Sequence, residues 1–158
     1  MLSSNPAFLR LFPRVKQLIE STASRDENLA ALCALLKDAV PYYNWVGVYF
    51  LDEHTKSDLV LGPFAGAPTE HIRIPFGIGV CGQAAVLQKT VIVPDVRKEQ
   101  NYLSCSPFVK AEIVVPISFA GAVRGVLDID SHDCAPFTAA DRAFLERVCA
   151  LIARLLVG

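Results

Sequence analysis

The chain has 158 residues, of which 53% are apolar and 20% charged, and a net charge of -1. That length suits one ordinary domain and leaves little room for two, while the apolar fraction excludes a disordered chain. The near-neutral balance offers no general attraction to nucleic acid, and no run of about 18 apolar residues is present to span a bilayer. The opening MLSSNPAFLRLFPRVK is polar and broken by prolines. It lacks the basic-then-apolar order of a signal peptide, so a cytoplasmic location is expected. Five cysteines at irregular spacing match neither a secreted disulfide framework nor a zinc ribbon, and a reducing compartment favours catalytic or buried thiols.

In chain order, Pro13 fits a first helical turn, followed by an amphipathic stripe of Val15, Leu18, Ile19 and Thr22. A second helix is predicted from near Asp26, with Leu29, Leu32, Cys33 and Leu36 on one face, and Pro41 stops it. NWVGVYFLD reads as a strand with Trp45, Gly47 and Tyr49 on one face and Val46, Val48 and Phe50 on the other. DLVLGPF and HIRIPF continue an antiparallel meander. A short strand in TVIVPD precedes the polar segment VRKEQNYLSCSPFVK, expected to be a loop or short helix. AEIVVPISF and AVRGVLDIDS, joined by a glycine-containing turn, predict a central hairpin. A last helix starts with Thr138 as N-cap and Asp141 three residues on, and carries Phe144, Leu145, Val148, Cys149, Ile152 and Leu156 on one face.

Two stretches point to chemistry. In GIGVCGQAAVLQ, Gly77, Gly79 and Gly82 spell the nominal dinucleotide fingerprint. A dinucleotide fold needs a strongly apolar first strand and repeated βαβ units, whereas HIRIP alternates and the chain reads as hairpins, so no nucleotide is expected. Cys81 then falls in a first helical turn, where the helix dipole favours thiolate over thiol, although a small residue packed among glycines is an equal reading. The second stretch runs from Cys105 to Asp130. Alternation puts Arg124, Val126, Asp128 and Asp130 on one strand face and Val123, Gly125, Leu127 and Ile129 on the other, with Glu112 at the start of the partner strand. A thiol near three carboxylates suits chemistry that needs both a nucleophile and a proton source. Cys33 and Cys149 sit on core stripes, and His132, Asp133 and Cys134 are too compressed for a metal site, so no metal is expected.

NWVGVYFL, LVLGPFAG, HIRIPFGIGVCG, the cysteine of SCSPFVKAEIVVPI, and GVLDIDS together resemble the free methionine-(R)-sulfoxide reductases, enzymes built on a single GAF domain. The likeness runs from about Asn44 to Phe137. It implies an α+β fold, a GAF domain with a central antiparallel β-sheet of about six strands flanked by helices, spanning residues 1–158 with residues 1–24 as a helical extension. It also implies thiol-dependent reduction of free methionine-(R)-sulfoxide without a cofactor. Cys105 would be the nucleophile and Cys81 the partner that resolves its sulfenic acid as a disulfide, with thioredoxin or a similar thiol reductant recycling it. Trp45, Tyr49, Glu112, Asp128 and Asp130 would contact substrate, and the protein would form a homodimer. Many members carry a third cysteine where this chain has His71, so Cys81 or an external thiol must resolve. Two other classes remain beside this one, a noncatalytic GAF sensor of small molecules and a Cys-His hydrolase using Cys105 and His71.

Overall fold

Alternating hydrophobicity and tight turns build one antiparallel sheet, seen here in a computed structural model that describes residues 5–104 and 106–157. Its strands are β1 (Trp45–Leu51), β2 (Asp58–Ala65), β3 (Arg73–Pro75), β4 (Val91–Val93), β5 (Ala111–Phe119) and β6 (Ala122–Ser131). Four α-helices accompany them among the described residues: α1 (Pro6–Ile19), α2 (Arg25–Ala39), α3 (Gly79–Leu87) and α4 (Ala139–Leu156). The strand order is β3-β2-β1-β6-β5-β4, with every neighbouring pair antiparallel. The central hairpin closes through Ala120 and Gly121 at φ of 53° and 79°. Two consecutive positive φ values make a mirror-image turn, whose twist matches that of the strands it joins.

Each face of the sheet has its own cover. On one face Val46, Val48, Ile113, Val115, Ile117, Leu127 and Ile129 meet the apolar stripes of α1, α2 and α4. Phe8 of α1 stacks on Phe144 of α4 at 4.5 Å between ring centroids, so the N-terminal helix is part of this main core. On the other face Trp45, Tyr49, Val114 and Val126 meet α3 and the connections around it. The candidate chemistry lies on this second face.

Three local expectations are corrected. The first helix begins at Pro6 behind an Asn5 cap, so Pro13 is interior and Thr22 lies beyond the helix end. Ser24, not Asp26, caps α2, its hydroxyl accepting from the Glu27 amide. Between Ile117 and Ser118 the β5/β6 register slips, leaving Arg124 of β6 as the extra residue of a bulge. Alternation breaks there, and Val123 packs with Val126 rather than with Leu127 and Ile129.

Candidate functional site

β6 lies between β1 and β5, so each of its inward residues has a neighbour on both sides. Asp130 is flanked by Trp45 and Glu112, Asp128 by Gly47 and Val114, and Val126 by Tyr49 and Pro116. Directly opposed residues in an antiparallel sheet hold their side chains within contact range. The sequence-predicted residues Trp45, Tyr49, Glu112, Asp128 and Asp130 are thereby gathered on one face, all buried. Glu112 is the second residue of β5, at the start of that strand as expected. The Trp45 indole donates to the Ala67 carbonyl at 2.9 Å and stacks on Phe64 at 5.5 Å. The Tyr49 hydroxyl donates to the His71 carbonyl at 2.9 Å.

The glycine-rich segment brings Cys81 to this row. The Gly82 carbonyl accepts from the Gly77 amide, and a side chain on Gly82 would meet the Pro75 carbonyl at 2.7 Å. The fingerprint glycines thus close a tight strand-to-helix turn. No side chain at Ile78 caps α3; instead Asn101, from the following connection, accepts from the Gly79 amide at 2.8 Å and donates to the Gly77 carbonyl at 2.8 Å. Gln83 donates to the Asn101 carbonyl, and Leu103 rests over Gly79. The connection that leads toward Cys105 is therefore docked on the helix that carries Cys81. Cys105 itself lies outside the described residues.

Burial decides the protonation of the site. The Cys81 thiol is pushed well above its ordinary value, first by burial and then by the charges of Asp128 and Glu112, and it donates to Asp128. The expectation of a dipole-stabilised thiolate at Cys81 is thus overturned. Burial also raises the Asp128 carboxyl, against hydrogen bonds with Glu112 and Cys81 that pull it down. Asp130 is raised well above the carboxylate range by burial and by the charge of Asp128. Glu112 hydrogen-bonds to both aspartates, and a carboxyl-carboxyl bond needs a proton between the two groups. Asp128 Oδ1 is buried with no hydrogen-bond partner among the described residues.

Two adjoining spaces share the acid row. Tyr49, His71, Cys81, Leu103, Glu112 and Asp128 enclose one of about 10 Å³, room for about one water. Trp45 and Asp130 line a wider pocket of about 540 Å³ together with Asn44, Ser106, Val109 and His132, within the usual range for small-molecule sites. The predicted residues therefore divide between a small inner chamber and a much wider outer pocket. Asn44, Asn101 and Leu103 are site residues that no sequence argument named, and only Asn44, preceding Trp45, carried any signal.

The remaining thiols are peripheral. Cys33 is buried against the Pro63 carbonyl and burial pushes its thiol up to about 12; Cys149 is buried against the Val115 carbonyl and raised further; Cys134 is exposed. Among the described residues, Cys81, Glu112 and Asp128 bring one ligand atom each within 4.8 Å of one another. A metal there would have to displace the protons that burial holds on Cys81 and Asp128. Among the described residues no helix is long and apolar enough to cross a membrane.

Comparison with known proteins places this geometry. A GAF domain family model matches residues 22–157. The free methionine-R-sulfoxide reductase of Escherichia coli (strain K12) is 37% identical over 129 residues, covering 82% of this chain and 76% of that protein. The enzyme of the same name from Saccharomyces cerevisiae is 44% identical over 110 residues, covering 69% of this chain and 61% of that one. The crystal structure of free methionine-R-sulfoxide reductase from Neisseria meningitidis in complex with its substrate superposes with a TM-score of 0.89 at 35% identity, covering 99% of this chain and 93% of that one.

Proposed function

The chain belongs to the free methionine-R-sulfoxide reductase family of GAF domains and is an oxidoreductase, and on that premise we propose a thiol mechanism for it with free L-methionine-(R)-sulfoxide as substrate. The carrying observation is the buried row of Glu112, Asp128 and Asp130, in which burial raises the aspartate carboxyls and leaves Asp128 Oδ1 without a partner among the described residues. A thiolate can attack a sulfoxide sulfur only if a proton reaches the departing oxygen. A carboxyl held protonated at neutral pH supplies one. The same row offers an acceptor for the ammonium of a free amino acid, a group that a methionine inside a protein lacks.

Cys105 attacks the sulfoxide sulfur, the oxygen takes a proton from the acid row and passes to the cysteine, and methionine leaves with Cys105 as sulfenic acid. The Cys81 thiol then forms a disulfide with Cys105, releasing water, and thioredoxin or a similar dithiol reduces that disulfide to two thiols. Trp45 and Tyr49 pack the methyl and thioether end. The inner chamber of about 10 Å³ must widen to admit the substrate, which enters from the outer pocket.

Single serine variants test the roles. Wild type with free L-methionine-(R)-sulfoxide, thioredoxin, its reductase and NADPH consumes NADPH continuously. Without reductant, Cys81→Ser still releases one equivalent of methionine per chain and Cys105→Ser releases none. One equivalent from Cys105→Ser would overturn the assignment of the nucleophile.

A further inference from the structure

His71 stands between the sheet and the connection that carries the proposed nucleophile. Its backbone is fixed on one side, because its carbonyl accepts from the Tyr49 hydroxyl at 2.9 Å and its amide donates to Thr69 Oγ1 at 3.2 Å. Its ring reaches the other way, with Nε2 at 2.8 Å from the Ser104 carbonyl oxygen. A carbonyl has no proton to give, so Nε2 carries the hydrogen and His71 donates. That requirement is met by the Nε2-protonated neutral ring and by the charged ring alike. The ring is half-buried at the wall of the chamber lined by Cys81, Glu112 and Asp128. Position is thus passed from Tyr49, rigid within β1, through His71 to Ser104, the residue before Cys105.

We propose that His71 is a positioning residue whose ring holds the peptide leading into Cys105 against the wall of the acid chamber. The inference rests on Cys105 as nucleophile. The connection after β4 contains only a short 3₁₀ turn, Val96–Lys98, as regular structure among its described residues. Asn101 anchors its middle to α3, and the Lys110 amide ties its end to the Ser131 carbonyl. His71 pins the span between those anchors. Misplacing a reacting group by about 1 Å can cost on the order of 100-fold in rate, so losing this donor should slow chemistry far more than it weakens substrate binding by Trp45 and the acids.

The test compares His71→Leu, which removes the donor, with His71→Gln, whose amide nitrogen can reach the same carbonyl. In single-turnover reactions without reductant, the rate of methionine release should fall about 10-fold or more in His71→Leu, with the sulfoxide concentration giving half the maximal rate changed less than about twofold. His71→Gln should recover to within about threefold of wild type. Alkylation of Cys105 by iodoacetamide, followed by peptide mass spectrometry, should change in rate in His71→Leu and stay at the wild-type rate in His71→Gln. A His71→Leu rate within twofold of wild type, or a His71→Gln as slow as His71→Leu, overturns the proposal. Should wild type release no methionine, the functional reading falls by itself, and alkylation alone decides the positioning role: equal rates in all three proteins would refute it.

Discussion

Gly47→Ala tests whether the site wall is as tightly set as the strand register implies. Gly47 lies beside Asp128 on β1, and a Cβ there would sit 2.3 Å from Trp45 Cη2 and 2.6 Å from Cζ3. An ordinary carbon-carbon contact is about 3.5 Å, so the indole must withdraw by about 1.2 Å. It has nowhere easy to go, being stacked on Phe64 and hydrogen-bonded through Nε1 to the Ala67 carbonyl. Overpacking of this kind costs about 1–3 kcal/mol, and losing the indole hydrogen bond adds about 1 kcal/mol, for an expected loss of about 2–4 kcal/mol. In a chain of this size that lowers Tm by roughly 4–16 °C. The chain has one tryptophan, so urea unfolding followed by intrinsic fluorescence reads stability and the state of Trp45 together. The native emission should shift toward that of a more solvated indole, and the half-saturating concentration of sulfoxide should rise. A loss below about 0.5 kcal/mol with unchanged native emission would refute the reasoning, because the indole would then be free to yield.

Two further outcomes follow from the protonation of the site. Burial raises the Asp130 carboxyl, so the folded chain holds this proton more tightly than the unfolded one; the stability it brings is complete below the unfolded value of about 3.9 and is lost as pH rises through the folded one. Asp130→Asn should therefore gain stability relative to wild type as pH goes from about 4 to 8 while losing on the order of 100-fold or more in activity; urea midpoints across that range check it, and a pH-independent difference would count against it. Because the buried Cys81 thiol is raised well above its usual value and Cys134 is exposed, iodoacetamide at pH 7.5 should label Cys134 long before Cys81 in native protein. Early labelling of Cys81, read by peptide mass spectrometry, would mean the thiolate is accessible after all.

The parts of the fold legible in the sequence are those set by local periodicity. The strands AEIVVPISF and AVRGVLDIDS appear at the expected bounds because alternation and a two-residue turn leave one workable register. Asp128 and Asp130 share the face of Val126 for the same reason. What alternation could not show is the bulge at Arg124, the extra residue that sends Val123 to the other side. Nor could it show that Pro13 sits inside a helix, because the competing start signal, Asn5 before Pro6, lies a full two turns earlier. Asn101 escaped notice because its work is done across 22 residues, capping a helix whose own preceding residue, Ile78, has no side chain able to cap it.

Cys81 shows why a local electrostatic rule fails in a site built from several strands. A thiol in a first helical turn gains roughly 0.3–1 kcal/mol from the dipole, less than one unit of pKa, whereas full burial moves a titrating group by as much as 3–5 units. The dipole belongs to α3 and can be read from its own residues. The opposing influences come from Glu112 on β5 and from Asp128 and Asp130 on β6, which reach Cys81 only because Asn101 and the close approach at Gly82 seat α3 on that face. The magnitudes leave Cys81 as a neutral thiol at rest. A thiol of that kind is poorly suited to attack substrate and better suited to wait for a sulfenic acid nearby, its proton leaving in the water released when the disulfide forms.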